Sequence, residues 1–136
     1  MQLRVHGYAF EVDETVLEAD PETVRSQVAS YADGNRLTFD LGVSFPDGLL
    51  GDVMREMVEI PYGETRTYGD IASTLGTAPV AVGSVCGRNP VPVVVPCHRV
   101  VGAEDLGGFS SAGGVEAKRT LLRHEAGQTA LDGWTG

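Results

Sequence analysis

Three prolines within seven residues constrain one segment of this chain more than any other feature does. Pro90, Pro92 and Pro96 enclose a run of valines that leads to Cys97 and His98. Proline restricts its own φ to a narrow range and lacks an amide donor, and β-branched valine is stiff at χ1. We therefore expect a stiff, extended chain right up to a rigidly held cysteine.

The thiol of Cys97 is a candidate nucleophile because it is held rigidly and a histidine follows it. The attacking species is the thiolate, and a thiol with a pKa of about 8.5 needs a base or a positive field to ionise near neutrality. Neighbours in sequence need not be in contact, so a buried core thiol stays open as the alternative for Cys97. Cys86 has no comparable neighbours, and we interpret it as a core residue.

The two cysteines and three histidines of the chain are too few, and too irregularly spaced, for a zinc site or a disulfide framework. We therefore expect no metal and no cofactor. No run of about 18 apolar residues is present, and the first residues lack the apolar stretch of a signal peptide. The sequence thus predicts a soluble, cytoplasmic protein without a membrane partner.

The charge of the chain is strongly negative and unevenly distributed. Its formal net charge is −9, which by itself argues against nucleic acid as a partner. Residues 1–60 carry twelve acidic side chains against four arginines, whereas residues 61–125 carry six acidic and six basic side chains. The second part is therefore free to approach phosphate. An acidic composition with a single lysine also predicts a salt-loving, or halophilic, organism, because high salt screens the repulsion.

Residues 1–59 are expected to form a short α+β lobe. Apolar residues alternate before and after His6-Gly7, which predicts two short strands with a bulge or a tight turn between them. Asp20-Pro21 predicts the start of a helix. Residues 37–45 alternate most regularly and predict a strand with one buried face. Apolar residues at spacings of three and four then predict a helix within residues 49–58.

A second lobe is expected over residues 60–127. Thr67 and Asp70 form a capping-box pattern in front of a first short helix, which Gly76 would end. Pro79 suits the first turn of a second short helix. Two short helices with a tight turn between them are typical of a helix-turn-helix, a motif that binds DNA.

The second of these helices has two unlike faces. Val82, Val85 and Cys86 fall on the side that should face the core. The opposite side carries mostly small residues, with an arginine at its edge: Val80, Gly83, Ser84, Gly87 and Arg88. A glycine costs a helix about 1 kcal/mol relative to alanine, so this bald face indicates close approach to another surface. That surface is either a nucleic-acid groove or the first lobe.

The residues around Cys97 resemble the active-site signature of the methylated-DNA–protein-cysteine methyltransferases. The signature reads Pro96-Cys97-His98-Arg99-Val100, and the resemblance extends over about residues 60–127. The further matching positions are Ile60-Pro61-Tyr62-Gly63-Glu64, Tyr68, Asn89-Pro90-Val91-Pro92 and Gly113-Gly114, with Lys118, Leu121, Leu122 and Glu125. This resemblance implies a DNA-repair enzyme that transfers the alkyl group of O6-alkylguanine in DNA irreversibly to Cys97, once per protein molecule.

The resemblance also implies the fold and the partner. The fold is α+β, with a short N-terminal α/β lobe, a remnant of a ribonuclease-H-like lobe, packed on a C-terminal catalytic lobe of the winged helix-turn-helix type. The partner is DNA containing O6-alkylguanine, bound through its minor groove with the damaged nucleotide rotated out of the duplex. The protein is expected to act as a monomer, and residues 128–136 are expected to form a flexible tail.

The resemblance implies a catalytic role for four residues. Cys97 would be activated by His98 through a water, and Glu125 would orient His98. Asn89 would brace the turn that leads to the site. The arrangement follows the general order of nucleophile, base and orienting group. The residues alone favour a solvated charge at a helix end for Glu125, and a simple turn former is the alternative for Asn89.

Contacts with the substrate are implied in the same way. Tyr68 would help to turn the nucleotide, and the carbonyl groups of Cys97 and Val100 would accept from the guanine amine. Phe109 and Ser110 would form the wall of the pocket. The alternatives are a first-turn helix residue for Tyr68 and a core residue for Phe109.

The implied DNA-binding positions include one departure from the family. These positions are Tyr68, Val80, Ala81, Ser84 and Arg88. The family usually reads Arg-Ala-Val-Gly, where the arginine takes the place of the flipped base, whereas this chain reads Val80-Ala81-Val82-Gly83. An apolar side chain can open a base step but lacks the charge and donors of arginine. We therefore expect slower repair of duplex DNA than in an arginine-bearing relative, with single strands less affected.

Other functions stay open at this point. A non-enzymatic binder of alkylated DNA would share the pocket but lack a reactive cysteine. A winged-helix DNA-binding regulator would leave the rigid segment around Cys97 without a purpose. A thiol hydrolase would need an acyl pocket, which nothing in the sequence indicates.

Overall fold

The structure, a computed structural model, describes residues 1–108 and 114–130, the last three of them as backbone only. Within these residues it is a mixed α/β structure of five α-helices and two sheets of two strands each. No helix in this part of the chain is long and apolar enough to cross a membrane. Residues 131–136 of the expected tail lie outside the described residues.

The first lobe begins with a β-hairpin. Strand β1 (Gln2–Val5) pairs antiparallel with strand β2 (Tyr8–Glu11). The two residues between them, His6 and Gly7, have φ values of 50° and 85°. A type I′ hairpin turn requires a positive φ at both of its central positions. The break in the apolar pattern is therefore a tight turn, one of the two predicted alternatives.

Helix α1 (Pro21–Ala32) packs on β1. The carboxylate of Asp20 accepts a hydrogen bond from the amide of Thr23 at 2.8 Å, and proline occupies the first turn, where an amide donor is not needed. The predicted start of this helix is confirmed. Its buried face is formed by Val24, Val28 and Tyr31.

The strand predicted over residues 37–45 is wrong. Among the described residues, only Val43 of this segment forms a bridge, to Leu17. Burial alternates along the segment as the pattern requires, but Leu37 is 50% exposed and the other inward side chains are only partly buried. A strand needs a hydrogen-bonding partner along its edge, and here the pairing extends over residues 16–18 only.

The helix predicted after this segment is confirmed as α2 (Leu49–Val58). Its apolar residues recur at spacings of three and four, which places them on one face of a helix. The buried residues of α2 are Gly51, Val53, Met54 and Met57.

The second lobe is organised by two short strands, β3 (Arg66–Thr67) and β4 (Val100–Val101), which pair in parallel. Its helices are α3 (Tyr68–Leu75), α4 (Pro79–Cys86) and α5 (Val115–Ala130). The parallel pair brings the chain that follows the three prolines next to the start of α3.

The local signals at α3 and α4 act as predicted. Thr67 and Asp70 form a capping box, with both hydrogen bonds at 3.0 Å. Gly76 ends α3 in the left-handed region, with a φ of 68°. Pro79 occupies the first turn of α4. Helix α2 packs on both α3 and α4, so the core is continuous between the lobes, and the division between residues 59 and 60 stays a prediction.

The segment that contains the three prolines bends, whereas the sequence predicted an extended chain. The amide of Val95 donates to the carbonyl of Val91 at 2.9 Å, and Val93 between them has a φ of 77°. A positive φ is unfavourable for a β-branched residue, so the surroundings must hold this turn, and residues 91–100 are all buried. Proline restricts individual φ values but does not set the direction of the chain.

Candidate active site

Cys97 lies at the end of the bent segment and begins a single 3-10 turn, Cys97–Arg99. Pro96 has a φ of −81° and a ψ of 69°, and the amide of Cys97 donates to the carbonyl of Val95 at 2.8 Å. This geometry is an inverse γ-turn. The proline and the two turns fix the backbone on both sides of Cys97, and this residue is only 6% exposed.

Asn89 braces this backbone with its side chain. Its Nδ2 donates to the carbonyl of Val95 at 2.8 Å, and its Oδ1 accepts from the amide of Val91 at 3.1 Å. These two hydrogen bonds link the backbone at both ends of the turn between Val91 and Val95. The structure thus brings Asn89 to the turn before Cys97, where the resemblance implied that it would lie.

The surroundings keep the thiol of Cys97 protonated at neutral pH. Burial raises its pKa, and a hydrogen bond from Asn89 and the positive charge of Lys118 oppose this increase without outweighing it. Because the thiolate is the nucleophile, Cys97 needs a proton acceptor when it reacts. Burial also raises the pKa of Cys86 to about 12, in keeping with its interpretation as a core residue.

His98 and Glu125 form a buried pair. Nε2 of His98 lies 2.7 Å from Oε2 of Glu125. An ionised carboxylate only accepts, so Nε2 carries the proton and Nδ1 is the bare nitrogen. Nδ1 is buried without a hydrogen-bond partner among the described residues. Burial lowers the pKa of His98 and outweighs the attraction of Glu125, so the neutral imidazole can accept a proton at Nδ1.

Glu125 is not the solvated charge that the residues alone favoured, since it is 1% exposed. Nε and Nη2 of Arg99 donate to its two oxygens at 2.8 and 3.0 Å, and Nη1 donates to the carbonyl of Ile60 at 2.7 Å. Burial alone would raise the pKa of Glu125, but the hydrogen bonds from His98 and Arg99 and the charge of Arg99 hold it well below its usual range. Sequence reasoning gave Arg99 no role, although its place beside His98 was an available signal.

Lys118, the single lysine of the chain, is also buried. Its Nζ donates to the carbonyls of Val100 at 2.6 Å and Gly108 at 3.1 Å, and lies 3.4 Å from the hydroxyl of Tyr68. Its charge favours the thiolate of Cys97. Sequence reasoning used Lys118 only as a matching position. The signal that could have found it was a lone lysine on the core-facing side of α5.

Tyr68 packs between two glycines. A Cβ added to Gly107, whose φ is 72°, would lie 2.6 Å from the ring of Tyr68, and one added to Gly83 would lie 3.9 Å from it. The hydroxyl of Tyr68 donates to the carbonyl of Gly108 at 3.4 Å. The absence of a side chain at Gly83 on α4 is thus explained by its contact with Tyr68 within the second lobe. This contact helps to hold Tyr68 beside Lys118.

The side of α4 that faces away from the core, called its outer face from here on, is largely open to solvent. Val80 is 79% exposed, Ser84 and Arg88 are exposed, and Ala81 is partly buried. The residues predicted to face the core are buried or partly buried. The predicted division of α4 into two faces is confirmed, and the first lobe does not cover its outer face.

Phe109 and Ser110 lie outside the described residues, so their roles stay predictions. In the described part of the chain, no group of three or more histidine, cysteine, aspartate or glutamate side chains is arranged to hold a metal ion.

Comparison with known proteins gives one consistent family. Residues 50–127 match the family model of the DNA-binding domain of 6-O-methylguanine DNA methyltransferase. A methylated-DNA–protein-cysteine methyltransferase of Archaeoglobus fulgidus is 49% identical over 77 residues, which cover 54% of this chain and 52% of the relative. The corresponding protein of Methanosarcina acetivorans is 43% identical over 104 residues, 73% of this chain and 65% of the relative. The chain spans about half to two thirds of the length of these curated relatives.

Solved structures agree with the sequence comparisons. OGT of Mycobacterium tuberculosis, solved in complex with DNA, is 38% identical with a TM-score of 0.73, over 79% of this chain and 68% of that chain. The O6-methylguanine-DNA methyltransferase of Pyrococcus kodakaraensis is 25% identical with a TM-score of 0.57, over 92% of this chain and 96% of that chain. With its braced cysteine, its buried histidine–glutamate pair and a match over more than half of its length, the chain belongs to the 6-O-methylguanine DNA methyltransferase family.

Proposed function

We propose that this chain repairs DNA by transferring the alkyl group of O6-alkylguanine irreversibly to Cys97. The observation that carries the proposal is that His98, which directly follows Cys97, forms a buried pair with Glu125. This pair leaves Nδ1 of His98 available to accept the thiol proton. The family to which the chain belongs supports the same reaction.

The transfer needs two proton movements and one exchange of bonds. His98 takes the thiol proton at Nδ1 through a water, and Glu125 stabilises the resulting imidazolium. The sulfur of Cys97 then attacks the alkyl carbon, so that the C–S bond forms while the C–O6 bond breaks and its electron pair stays on the guanine. The guanine takes up one proton and is restored. A thioether does not release its alkyl group unaided, and we infer that each protein molecule acts once.

The outer face of α4 is the proposed contact with DNA. We assign α3 and α4 as the helix-turn-helix of a winged catalytic lobe that enters the minor groove. A stacked guanine hides its O6 atom, so the nucleotide must rotate out of the duplex. Val80, Ala81, Ser84 and Arg88 are the proposed contacts on α4, and Tyr68 helps to turn the nucleotide. The relative solved with DNA supports this partner.

Backbone carbonyls are proposed to recognise the flipped guanine. Those of Cys97 and Val100 accept from its amine. The carbonyl of Val100 already accepts from Lys118 at 2.6 Å, but a carbonyl has two lone pairs and can accept twice. Phe109 and Ser110 are proposed to form the wall of the pocket.

The remaining assignments concern the lobes and their setting. We interpret residues 1–59 as a shortened ribonuclease-H-like lobe, which a hairpin followed by a packed helix supports. The net charge of −9 supports a monomer, because like charges oppose self-association. The acidic composition with its single lysine supports a halophilic organism, and we propose a cytoplasmic location for the protein.

The intact mass of the protein tests the proposal directly. After incubation with a single-stranded oligonucleotide that contains O6-methylguanine, we expect a stoichiometric gain of one methyl group. Cys97→Ser should abolish the gain, and Cys86→Ser, which changes the other cysteine, should retain it. A wild-type protein that binds the oligonucleotide without gaining the methyl group would overturn the proposal in favour of a non-enzymatic binder of alkylated DNA.

A further inference from the structure

Tyr31 brings the first lobe into contact with the candidate active site. It lies in the last turn of α1, is fully buried, and donates from its hydroxyl to Oε2 of Glu125 at 2.7 Å. The same oxygen is hydrogen-bonded to Nε2 of His98 at 2.7 Å. Burial and then the charge of Glu125 raise the pKa of Tyr31, so its hydroxyl keeps the proton and remains a donor.

Helix α5 holds Tyr31 at both ends. Nε2 of His124 lies 2.9 Å from the carbonyl oxygen of Tyr31, while the next residue, Glu125, binds the hydroxyl. A carbonyl only accepts, so Nε2 of His124 carries its proton and Nδ1 accepts from Nε2 of His6 at 2.9 Å. Helix α1 is therefore bound to both His124 and Glu125 of α5, and the hairpin turn is bound to His124. Tyr31 cannot shift without disturbing these contacts.

We propose that Tyr31 is a positioning residue for alkyl transfer, an inference that rests on the function proposed above. Three donors are hydrogen-bonded to Oε2 of Glu125: the hydroxyl of Tyr31, Nε2 of His98, and Nη2 of Arg99, which lies 3.0 Å from this oxygen. Each donor to the charged carboxylate reduces the charge left for the others. Without the hydroxyl, Glu125 would stabilise the imidazolium of His98 more strongly. His98 would then become protonated, and unable to act as a base, at a higher pH.

Other titratable groups lie close to His98 and Tyr31 and also influence the protonation of His98. Arg99 and Lys118 oppose protonation of His98, and the rings of Tyr62 and His124 pack on that of Tyr31. Cys97 precedes His98 in the same turn. Removing only the hydroxyl of Tyr31 leaves all of these side chains in the protein, so it tests one donor.

The pH dependence of methyl transfer tests the inference. Tyr31→Phe removes the donor and keeps the ring, and the acid limb of the single-turnover rate with a single-stranded O6-methylguanine oligonucleotide reports the protonation of His98. We expect this limb to move to higher pH by about half a unit to one unit. One hydrogen bond to a charged group corresponds to about one to two units, and His98 receives only part of this effect because the lost donor acts on it through Glu125. Tyr62→Phe is the matched control, because the Tyr62 hydroxyl is buried without a hydrogen-bond partner among the described residues.

Three results decide the matter. An acid limb of Tyr31→Phe that coincides with the wild-type limb overturns the proposal, even if the variant is slower or melts at a lower temperature. If Tyr31→Phe does not fold, 3-fluorotyrosine at position 31 keeps the hydroxyl and makes it a stronger donor. The limb should then move to lower pH, and an unchanged limb overturns the proposal. A wild-type protein that transfers no methyl group refutes the proposed function itself, and this inference with it.

Discussion

The ammonium nitrogen of Lys118 lies 2.6 Å from the carbonyl oxygen of Val100, and both residues are fully buried. Desolvation lowers the pKa of Lys118, and the nearby thiol of Cys97 opposes this decrease as it ionises. A buried cation beside a buried thiol favours the thiolate, because the low dielectric of the interior strengthens their attraction. The fixed position of Lys118 therefore contributes directly to the reactivity of Cys97.

Replacing Lys118 by methionine should slow alkyl transfer. The pKa of Cys97, already raised by burial, would rise further without this charge, and each unit lowers the thiolate fraction about tenfold. We expect a rate of methyl transfer from a single-stranded oligonucleotide that is lower by about tenfold or more. Arg119→Met removes an equal charge from the neighbouring, partly exposed position and should leave the rate unchanged. Equal rates for Lys118→Met and the wild type would contradict this role.

Glu125→Gln should destabilise the protein. The substitution leaves the guanidinium of Arg99 buried without a charged partner, and breaking a buried ion pair from one side costs about 3 to 5 kcal/mol. Urea denaturation should show this loss as a lower midpoint. Glu116→Gln, which changes a glutamate in an exposed pair with Arg119, should have no measurable effect. A midpoint for Glu125→Gln equal to that of the wild type would show that the pair does not stabilise the fold.

Acid should begin to destabilise the protein below about pH 6.5, the usual pKa of histidine. The folded state lowers the pKa of His98 through burial, so below pH 6.5 the unfolded state binds the proton first and unfolding is favoured. The slope from this residue can reach about 1.4 kcal/mol per pH unit. Glu125, whose pKa is held low, loses its contribution only at more acidic pH, below the ordinary carboxylate pKa.

Denaturation between about pH 5 and pH 7.5 checks this linkage. His98→Gln should flatten the slope, whereas Cys97→Ser, which keeps the imidazole, should retain it. His124 should contribute in the same direction, because burial lowers its pKa as well. An equal slope in His98→Gln and the wild type would place the titrating group elsewhere.

The sequence predicted most reliably those elements whose cause is local. The capping box of Thr67 and Asp70, the stop at Gly76 and the turn at His6-Gly7 each depend on a few adjacent residues. Residues 37–45 show the limit of a periodic pattern. Their alternation correctly indicated which side faces inward, but strand pairing depends on a partner segment, and only a short one is present.

The candidate site could be predicted only in part, for a similar reason. Cys97 and His98 stand out in the sequence, but the partners that define their chemistry are distant. Glu125 is paired with Arg99 and with Tyr31, which is 94 residues away. A charged residue in isolation is most simply interpreted as solvated, and only the folded arrangement shows that these groups are buried together.

Gly107→Ala should disturb the packing around the ring of Tyr68. The φ of Gly107 is 72°, and an added Cβ would lie 2.6 Å from the tyrosine ring. Strain and overlap together should cost about 1 to 3 kcal/mol of unfolding free energy and slow alkyl transfer. Gly108→Ala is the matched control, since nothing lies within 4 Å of an added Cβ there. Similar stabilities and rates for the two variants would contradict the close packing of Gly107 on Tyr68.

Val80→Arg should speed the repair of duplex DNA. Val80 is 79% exposed on the outer face of α4, so a longer side chain has room to reach the base stack or a phosphate. A charged hydrogen bond to DNA is worth about 1.5 to 3 kcal/mol, and we expect a gain of about tenfold in duplex repair with little change for single strands. One added phosphate contact should also steepen the dependence of log affinity on log salt by about 0.9.

The control for Val80→Arg is an arginine of equal charge placed elsewhere. Val58 is 40% exposed at the end of α2 and lines a cavity together with Leu37 and Phe39 of the first lobe. Val58→Arg therefore changes the net charge by the same amount at a position outside the proposed DNA contacts. Attraction by net charge alone would make the two variants alike, whereas a specific contact requires only Val80→Arg to speed duplex repair. If Val80→Arg left both the duplex rate and the affinity for duplex unchanged, the outer face of α4 would not be the surface that opens the base stack.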